Sequence, residues 1–242
     1  MNQTDLGVFI LDNYFTSEEV DYMHKAVEHL PWTSGSIGPG IVTDADGTQR
    51  DNGIQNSKIR QSDIKWAPPG TFGEEIDNKF VAGVNHANIQ AGWNYNWQHV
   101  EHHQYTVYHH REQFDDDWAR AVKDGRAVSG DHYTWHQDSA RNEGGIWPGE
   151  IRKLSTTIQL SDPDEYEGGD FQYINFSGVF DRITESNQRS FDLAEKIDTV
   201  PFSGKGKGTL IVFPSYTFHQ VSPVTRGTRK SLVSWFHGPK FV

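Results

Sequence analysis

Apolar positions in the first hundred residues recur with helical spacing, and from Gln104 onward with the spacing of strands. Residues 7–11, GVFIL, form a continuous apolar run that reads as a short buried strand. Thr16 and Glu19 have capping-box spacing, and Phe15 with Val20 fits a hydrophobic staple. Val20, Met23, Val27 and Leu30 then fall on one stripe, and Pro31 stops the helix. A second helix is expected to start at Thr71, with Glu74 three residues on and Phe72, Ile76, Phe80 and Val84 along one face. Both helices read as scaffold. Between them, the Gly- and Asp-rich stretch Ser34 to Asn56 reads as a mobile loop.

The second half holds short β-rich runs divided by turn signals: QYTVY, YTWHQD, KLSTTIQLS, DFQYINF, GTLIVFP, FHQVSPV and RKSLVSWF. Such spacing predicts an all-β sandwich or barrel. Helices first and strands after place the helices on one face of it. The expected organisation is one mainly β (α+β) domain, with helical support over 1–98 and a β core over 99–242. Two polar segments, His109 to Asp131 and Ile183 to Thr199, read as excursions from the strands.

Composition narrows the partners. A net charge of -11 disfavours a nucleic-acid partner, because phosphate backbones repel it. No apolar run approaches the roughly 18 residues of a membrane span. The start, MNQTDLGVFI, has no basic or apolar leader pattern, so a cytoplasmic location is expected. The chain has no cysteine, which excludes thiolate zinc sites, iron–sulfur clusters, disulfides and cysteine nucleophiles. With 12 His and 33 acidic residues, any metal site must use nitrogen and oxygen ligands.

His136-Gln137-Asp138 is the centre of the chemistry. On a strand, positions i and i+2 face one side, so H-x-D can aim an imidazole and a carboxylate at one ion. A distant second His would complete a 2-His-1-carboxylate triad with open positions on Fe(II). The tripeptide alone carries little weight: this composition yields roughly one H-x-D by chance, and His99-Val100-Glu101 is a rival. The C-terminal stretch adds the specificity. Gly208 to Pro214 reads as a strand, His219 lies on a second, Pro223 to Gly227 make a turn, and Arg229 opens a third. Alternation puts Arg229, Ser231, Val233 and Trp235 on one face. An inward Arg calls for an anion, and a dicarboxylic acid suits the guanidinium fork.

The order H-x-D, E-G-G-D (Glu167 to Asp170), G-x-L-x-x-F-P and H-x-V-x-P-V-x-x-G-x-R resembles the prolyl 4-hydroxylase-like branch of the Fe(II)/2-oxoglutarate dioxygenases. The opening VFILDNYFTSEEV is similar to that branch's N-terminus. The resemblance implies a double-stranded β-helix (jelly-roll) with helices packed on one sheet. It implies His136, Asp138 and His219 as iron ligands and Arg229 as the partner of the distal carboxylate of 2-oxoglutarate. Gln104 and Tyr108 resemble a Q-x-x-x-Y strand whose Tyr touches the same carboxylate, with Thr157 and Gln159 on the facing strand. Tyr133 resembles a site-lining aromatic.

Fe(II) and 2-oxoglutarate, with ascorbate as an accessory, are the implied cofactors. The implied reaction hydroxylates a prolyl residue in a peptide or protein, or a free amino acid, and releases succinate and CO2. Related halogenases lack the carboxylate that Asp138 supplies, so its presence favours hydroxylation. The sequence departs from the branch in the polar segment between Tyr108 and His136, where an unusual lid is expected. Segments 34–56 and 109–131 are both expected to flank the entrance.

Two other classes stay open: a non-catalytic cupin-like metal-binding protein, and a nucleic-acid demethylase on the same scaffold, against which the low pI speaks. His99, His102, His103, His109 and His110 read as solvent-exposed. Trp235 reads as packing, Gly168 and Gly169 as a hairpin turn, and Asp115 to Asp117 as a solvated loop.

Overall fold

The structure is a computed structural model that describes residues 3–5, 7–37, 41–43, 49–51, 53–111, 130–139, 147, 149–175 and 197–241. In chain order the elements are β1 (Gln3–Asp5), β2 (Val8–Leu11), α1 (Ser17–Ala26), β3 (Thr33–Ser34), β4 (Ile41–Thr43), β5 (Gln49–Asp51), β6 (Arg60–Gln61), β7 (Asp63–Ala67), α2 (Gly73–Gln90) and β8 (His99–Val100). There follow β9 (His103–His109), β10 (His132–His136), β11 (Glu150–Gln159), β12 (Tyr166–Gly168), β13 (Phe171–Ile174), β14 (Ile197–Thr199), β15 (Leu210–Pro214), β16 (His219–Val221) and β17 (Val224–Pro239). The protein is mostly β, with two α-helices among the described residues.

One large antiparallel sheet runs β1-β2-β15-β11-β17-β9-β7-β3, with β8 and β12 also paired to β17. A smaller sheet runs β14-β13-β16-β10-β6. Strand parity gives the large sheet two chemically different faces. Tyr105, Val107, Leu154, Ile158, Leu210, Val212, Leu232 and Phe236 form one core with the buried stripes of α1 and α2. The opposite face carries Gln104, Tyr108, Thr157, Arg229, Ser231 and Trp235, which line a cavity. In β2 and β15 both parities are apolar, because Val8, Ile10, Ile211 and Phe213 pack on Phe171 and Tyr173 of the small sheet. This double burial is why VFIL and LIVFP read as unbroken apolar runs.

The first helix begins as expected, with both reciprocal capping bonds between Thr16 and Glu19. It ends at Ala26, four residues before Leu30, in a turn. Lys65 Nζ caps that end by donating to the Val27 and Glu28 carbonyls at 2.8 and 2.9 Å. The second helix starts at Gly73 rather than Thr71 and has no side-chain cap. The Thr71 hydroxyl instead donates back to the Pro68 carbonyl at 2.6 Å.

Three further expectations are corrected. Within Ser34 to Asn56, the described parts pair: β4 with β5, and Ile37 with Ile54. Pro223 to Gly227 is not a turn between strands. Ser222 and Pro223 separate β16 from β17, and β17 runs unbroken from Val224, pairing first with β12 and then with β9 and β11. Gly168 and Gly169 do not close a hairpin, since β12 pairs with β17 while β13 pairs with β14 and β16. Their positive φ values of 71° and 59° make a corner that carries the chain from one sheet to the other. Residues 38–40, 44–48, 52, 112–129 and 176–196 lie outside the described residues, and with them most of His109 to Asp131 and of Ile183 to Thr199, part of Ser34 to Asn56, and the Asp115 to Asp117 run. No described helix is long and apolar enough to cross a membrane.

Candidate active site

The register of β10 and β16 sets His136 opposite His219. His136 ends its strand, and Asp138 lies beyond it, held by its amide donating to the Ser215 carbonyl at 2.9 Å. Strand alternation therefore explains the direction of His136 but not of Asp138. The ligand atoms of His136, Asp138 and His219 all lie within 4.8 Å of one another, and among the described residues no other such triple occurs. His136 Nε2 is 3.5 Å from Asp138 Oδ1, and His219 Nε2 is 3.7 Å from Asp138 Oδ2.

The tautomers follow from the backbone. His136 Nδ1 lies 2.7 Å from the Thr134 carbonyl and His219 Nδ1 lies 2.9 Å from the Thr217 carbonyl. A carbonyl only accepts, so each Nδ1 carries a proton and each Nε2 faces the carboxylate. Burial pushes the His219 imidazole down to about 4, which keeps it neutral. Burial alone would raise the Asp138 carboxyl, but His219, His136 and Arg152 outweigh it and hold it well below the usual carboxylate range. Two imidazoles that present Nε2 and an ionised carboxylate suit a divalent first-row metal.

The aromatic wall is also in place. Tyr133 stacks on His136, and Phe213 meets the His219 ring edge-on at 4.7 Å. A bulge between Tyr133 and His136 shifts the register, so that residues three apart share a face.

Arg229, 2 % exposed, points into the same cavity, whose volume with its mouth is about 720 Å³. It donates to Gln159 Oε1 at 3.0 Å and to Ser231 Oγ at 3.4 Å, and its Cζ lies 5.5 Å from the Tyr108 ring. All these partners are neutral, and among the described residues no carboxylate pairs with it. Thr157 Oγ1 nearby is buried without a hydrogen-bond partner. A buried guanidinium and an orphaned hydroxyl are what a carboxylate would satisfy. The sequence-derived set of Gln104, Tyr108, Tyr133, His136, Asp138, Thr157, His219 and Arg229 thus lines one cavity, with Gln159 bonded to Arg229 beside it.

Several residues fall elsewhere than expected. Trp235, read as packing, lines the cavity, with the Arg152 guanidinium 4.1 Å over its ring. Glu101 of the rival H-x-E motif belongs to a separate cluster: its carboxylate accepts two 2.6 Å bonds from Arg152 and one from His237. Burial opposes its ionisation, yet Arg152 and His237 hold its carboxyl down to about 2. His103 is buried rather than exposed, bonded to Ser234 Oγ and packed on Phe72 and Phe80. Arg60 and Arg152 also line the cavity, and no periodicity or motif marked either one.

The profile of the 2OG-Fe(II) oxygenase superfamily matches residues 119–237, the stretch that carries all three triad residues and Arg229. Residues 119–237 carry the pattern of a 2OG-Fe(II) oxygenase. The domain is 27% identical over 110 residues to a PKHD-type hydroxylase of Idiomarina loihiensis, a stretch covering 46% of this chain and 38% of that protein. The chain spans well under half the length of the curated relatives it matches. The chain shares its fold with a Trichoplax adhaerens prolyl hydroxylase solved with a hypoxia-inducible factor peptide (TM-score 0.56, 15% identity, 95% of this chain and 83% of that one). It also shares it with a viral collagen prolyl hydroxylase from Paramecium Bursaria Chlorella virus-1 solved with 2-oxoglutarate (TM-score 0.54, 17% identity, 96% of each chain). The superfamily's cofactors are Fe(II) and 2-oxoglutarate, and the donors described above fit both.

Proposed function

We propose that His136, Asp138 and His219 hold Fe(II), that Arg229 receives the distal carboxylate of 2-oxoglutarate, and that the protein hydroxylates a prolyl residue of a peptide or protein, or a free amino acid. Residues 1–242 are read as one domain, and the two sheets flanking the cavity as the halves of a double-stranded β-helix (jelly-roll). One observation carries the reading: two imidazole Nε2 atoms and a carboxylate converge in the cavity that also holds a buried arginine with no anionic partner among the described residues.

Iron and 2-oxoglutarate together supply the oxidant, with O2 consumed, succinate and CO2 released and one oxygen atom passed to the substrate. The chain's part is placement and exclusion of water. The Thr134 and Thr217 carbonyls fix the ring directions and tautomers of the two histidines. Arg229 offers N–H groups in a fixed fork, preset by Gln159. Tyr108, Thr157 and Gln159 complete that end, and Phe171 and Phe213 form an apolar wall around His219.

The test is a mass-spectrometric search for +16 Da products across prolyl peptides and free amino acids, with Fe(II) and 2-oxoglutarate supplied. A product that appears with wild type and not with Asp138→Asn supports the reading. A product formed equally by both would overturn it.

A further inference from the structure

The cavity wall carries three guanidinium groups, those of Arg60, Arg152 and Arg229. Arg152 is neutralised by the ionised Glu101. In the loaded site, the two charges of Fe(II) and the one of Arg229 balance Asp138 and the dianion of 2-oxoglutarate. Arg60 is left over. It is 6% exposed and among the described residues has only neutral partners: Nε donates to Ser62 Oγ at 3.1 Å, one terminal nitrogen to the Ser36 carbonyl at 3.0 Å, and the other to Gln104 Oε1 at 2.5 Å. These bonds use three of its five N–H groups. Its Cζ lies 4.7 Å from the Tyr133 ring, which stacks on His136. The charge therefore sits one aromatic ring beyond a metal ligand. Burying a cation without an anion is costly, and this cost is relieved when an anion enters.

We propose that Arg60 is a receptor for a carboxylate of the prime substrate, so that the substrates are anionic: a free amino acid, or a peptide whose terminal carboxylate lies close to the oxidised carbon. The proposal rests on the oxygenase reading for the charge count. Ser62 and Gln104 hold the guanidinium flat, as a preset fork for two parallel bonds. An amide in place of the acid would leave the cation uncompensated, and that penalty gives selectivity against neutral peptide interiors.

The test uses the Fe(II)- and 2-oxoglutarate-loaded protein without oxygen, titrated calorimetrically with three forms of each of the twenty amino acids. The forms are the free acid, the N-acetyl acid and the N-acetyl amide. The expected result is that the ligands that bind are acids, and that the matching amides bind at least tenfold more weakly. Binding of N-acetyl acids assigns the carboxylate to a peptide terminus, and binding of free acids alone assigns it to an amino acid. Arg60→Gln should abolish the preference for acids, and Arg60→Lys should keep part of it. Because Arg60 also ties down Ser36, Gln104→Glu is the second variant: it supplies a built-in counter-charge and should weaken acid binding at least tenfold with Arg60 retained. Equal binding of acids and amides, or no binding by any acid, overturns the proposal. So does an Arg60→Gln variant whose 2-oxoglutarate KM rises as in Arg229→Ala while its preference for acids is unchanged, since both arginines would then serve the co-substrate. Substrate-free succinate release by the wild type in air is measured in parallel. Its absence refutes the oxygenase reading, while the titration still decides whether Arg60 binds carboxylates.

Discussion

Tyr133 lies three residues before His136 on one strand, yet the two rings stack with centroids 3.5 Å apart and planes 16° apart. On a regular strand they would face opposite sides; the bulge between them brings both into the cavity. The stack, with the bond from Nδ1 to the Thr134 carbonyl, leaves the imidazole one orientation. Tyr133→Ala should therefore weaken metal binding about 10- to 100-fold, the usual effect of losing an outer-shell support. Tyr133→Phe keeps the ring and should stay within a few-fold. Titration of both variants with Mn(II) or Co(II) checks this.

Gly169 adopts φ +59°, and a Cβ there would sit 2.9 Å from Arg229 Cδ. Gly169→Ala should push the guanidinium away from Gln159 and raise the KM for 2-oxoglutarate, while metal affinity stays at the wild-type value. Kinetics and metal titration on the same sample separate the two effects.

Arg229→Ala should raise the 2-oxoglutarate KM roughly thirtyfold or more, since removing one partner of a buried charged pair costs about 2–5 kcal/mol. Arg229→Lys should recover part of this as a point charge without the fork. An unchanged KM in the Ala variant would remove Arg229 from the co-substrate site.

Glu101 has its carboxyl held down to about 2 by Arg152 and His237 against the effect of burial. A folded-state pKa below the unfolded value of about 4.5 means that its contribution to stability is present above pH 4.5 and is lost as pH falls from there toward 2. Glu101→Gln should thus be less stable than wild type at neutral pH, and the difference should shrink across that window. Glu101→Ala, which leaves Arg152 unpaired, should cost about 3–5 kcal/mol. Denaturant melts at several pH values measure both.

That His136, Asp138, His219 and Arg229 line one cavity was legible from the order of the motifs for the first three and from two-residue alternation for Arg229, Ser231, Val233 and Trp235. What escaped depends on departures from regularity or on distant partners. The Tyr133 bulge breaks parity within one strand, and Pro223 to Gly227 reads as a turn although β12 pairs with it and keeps it extended. Arg60 and Arg152 have no local mark, since their burial is set by Gln104 and Glu101, more than forty residues away in sequence. His103 reads as one exposed histidine among several because its burial comes from Phe72 and Phe80 of another element.

Succinate release from 2-oxoglutarate without added substrate tests the central assignment most directly, measured on wild type, His136→Ala, Asp138→Asn and His219→Ala with Fe(II) and then with a chelator. Wild type should release succinate only while Fe(II) is present, and each of the three variants should release at least a hundredfold less. Release that survives chelation, or that persists undiminished in the variants, would contradict the assignment of iron to His136, Asp138 and His219.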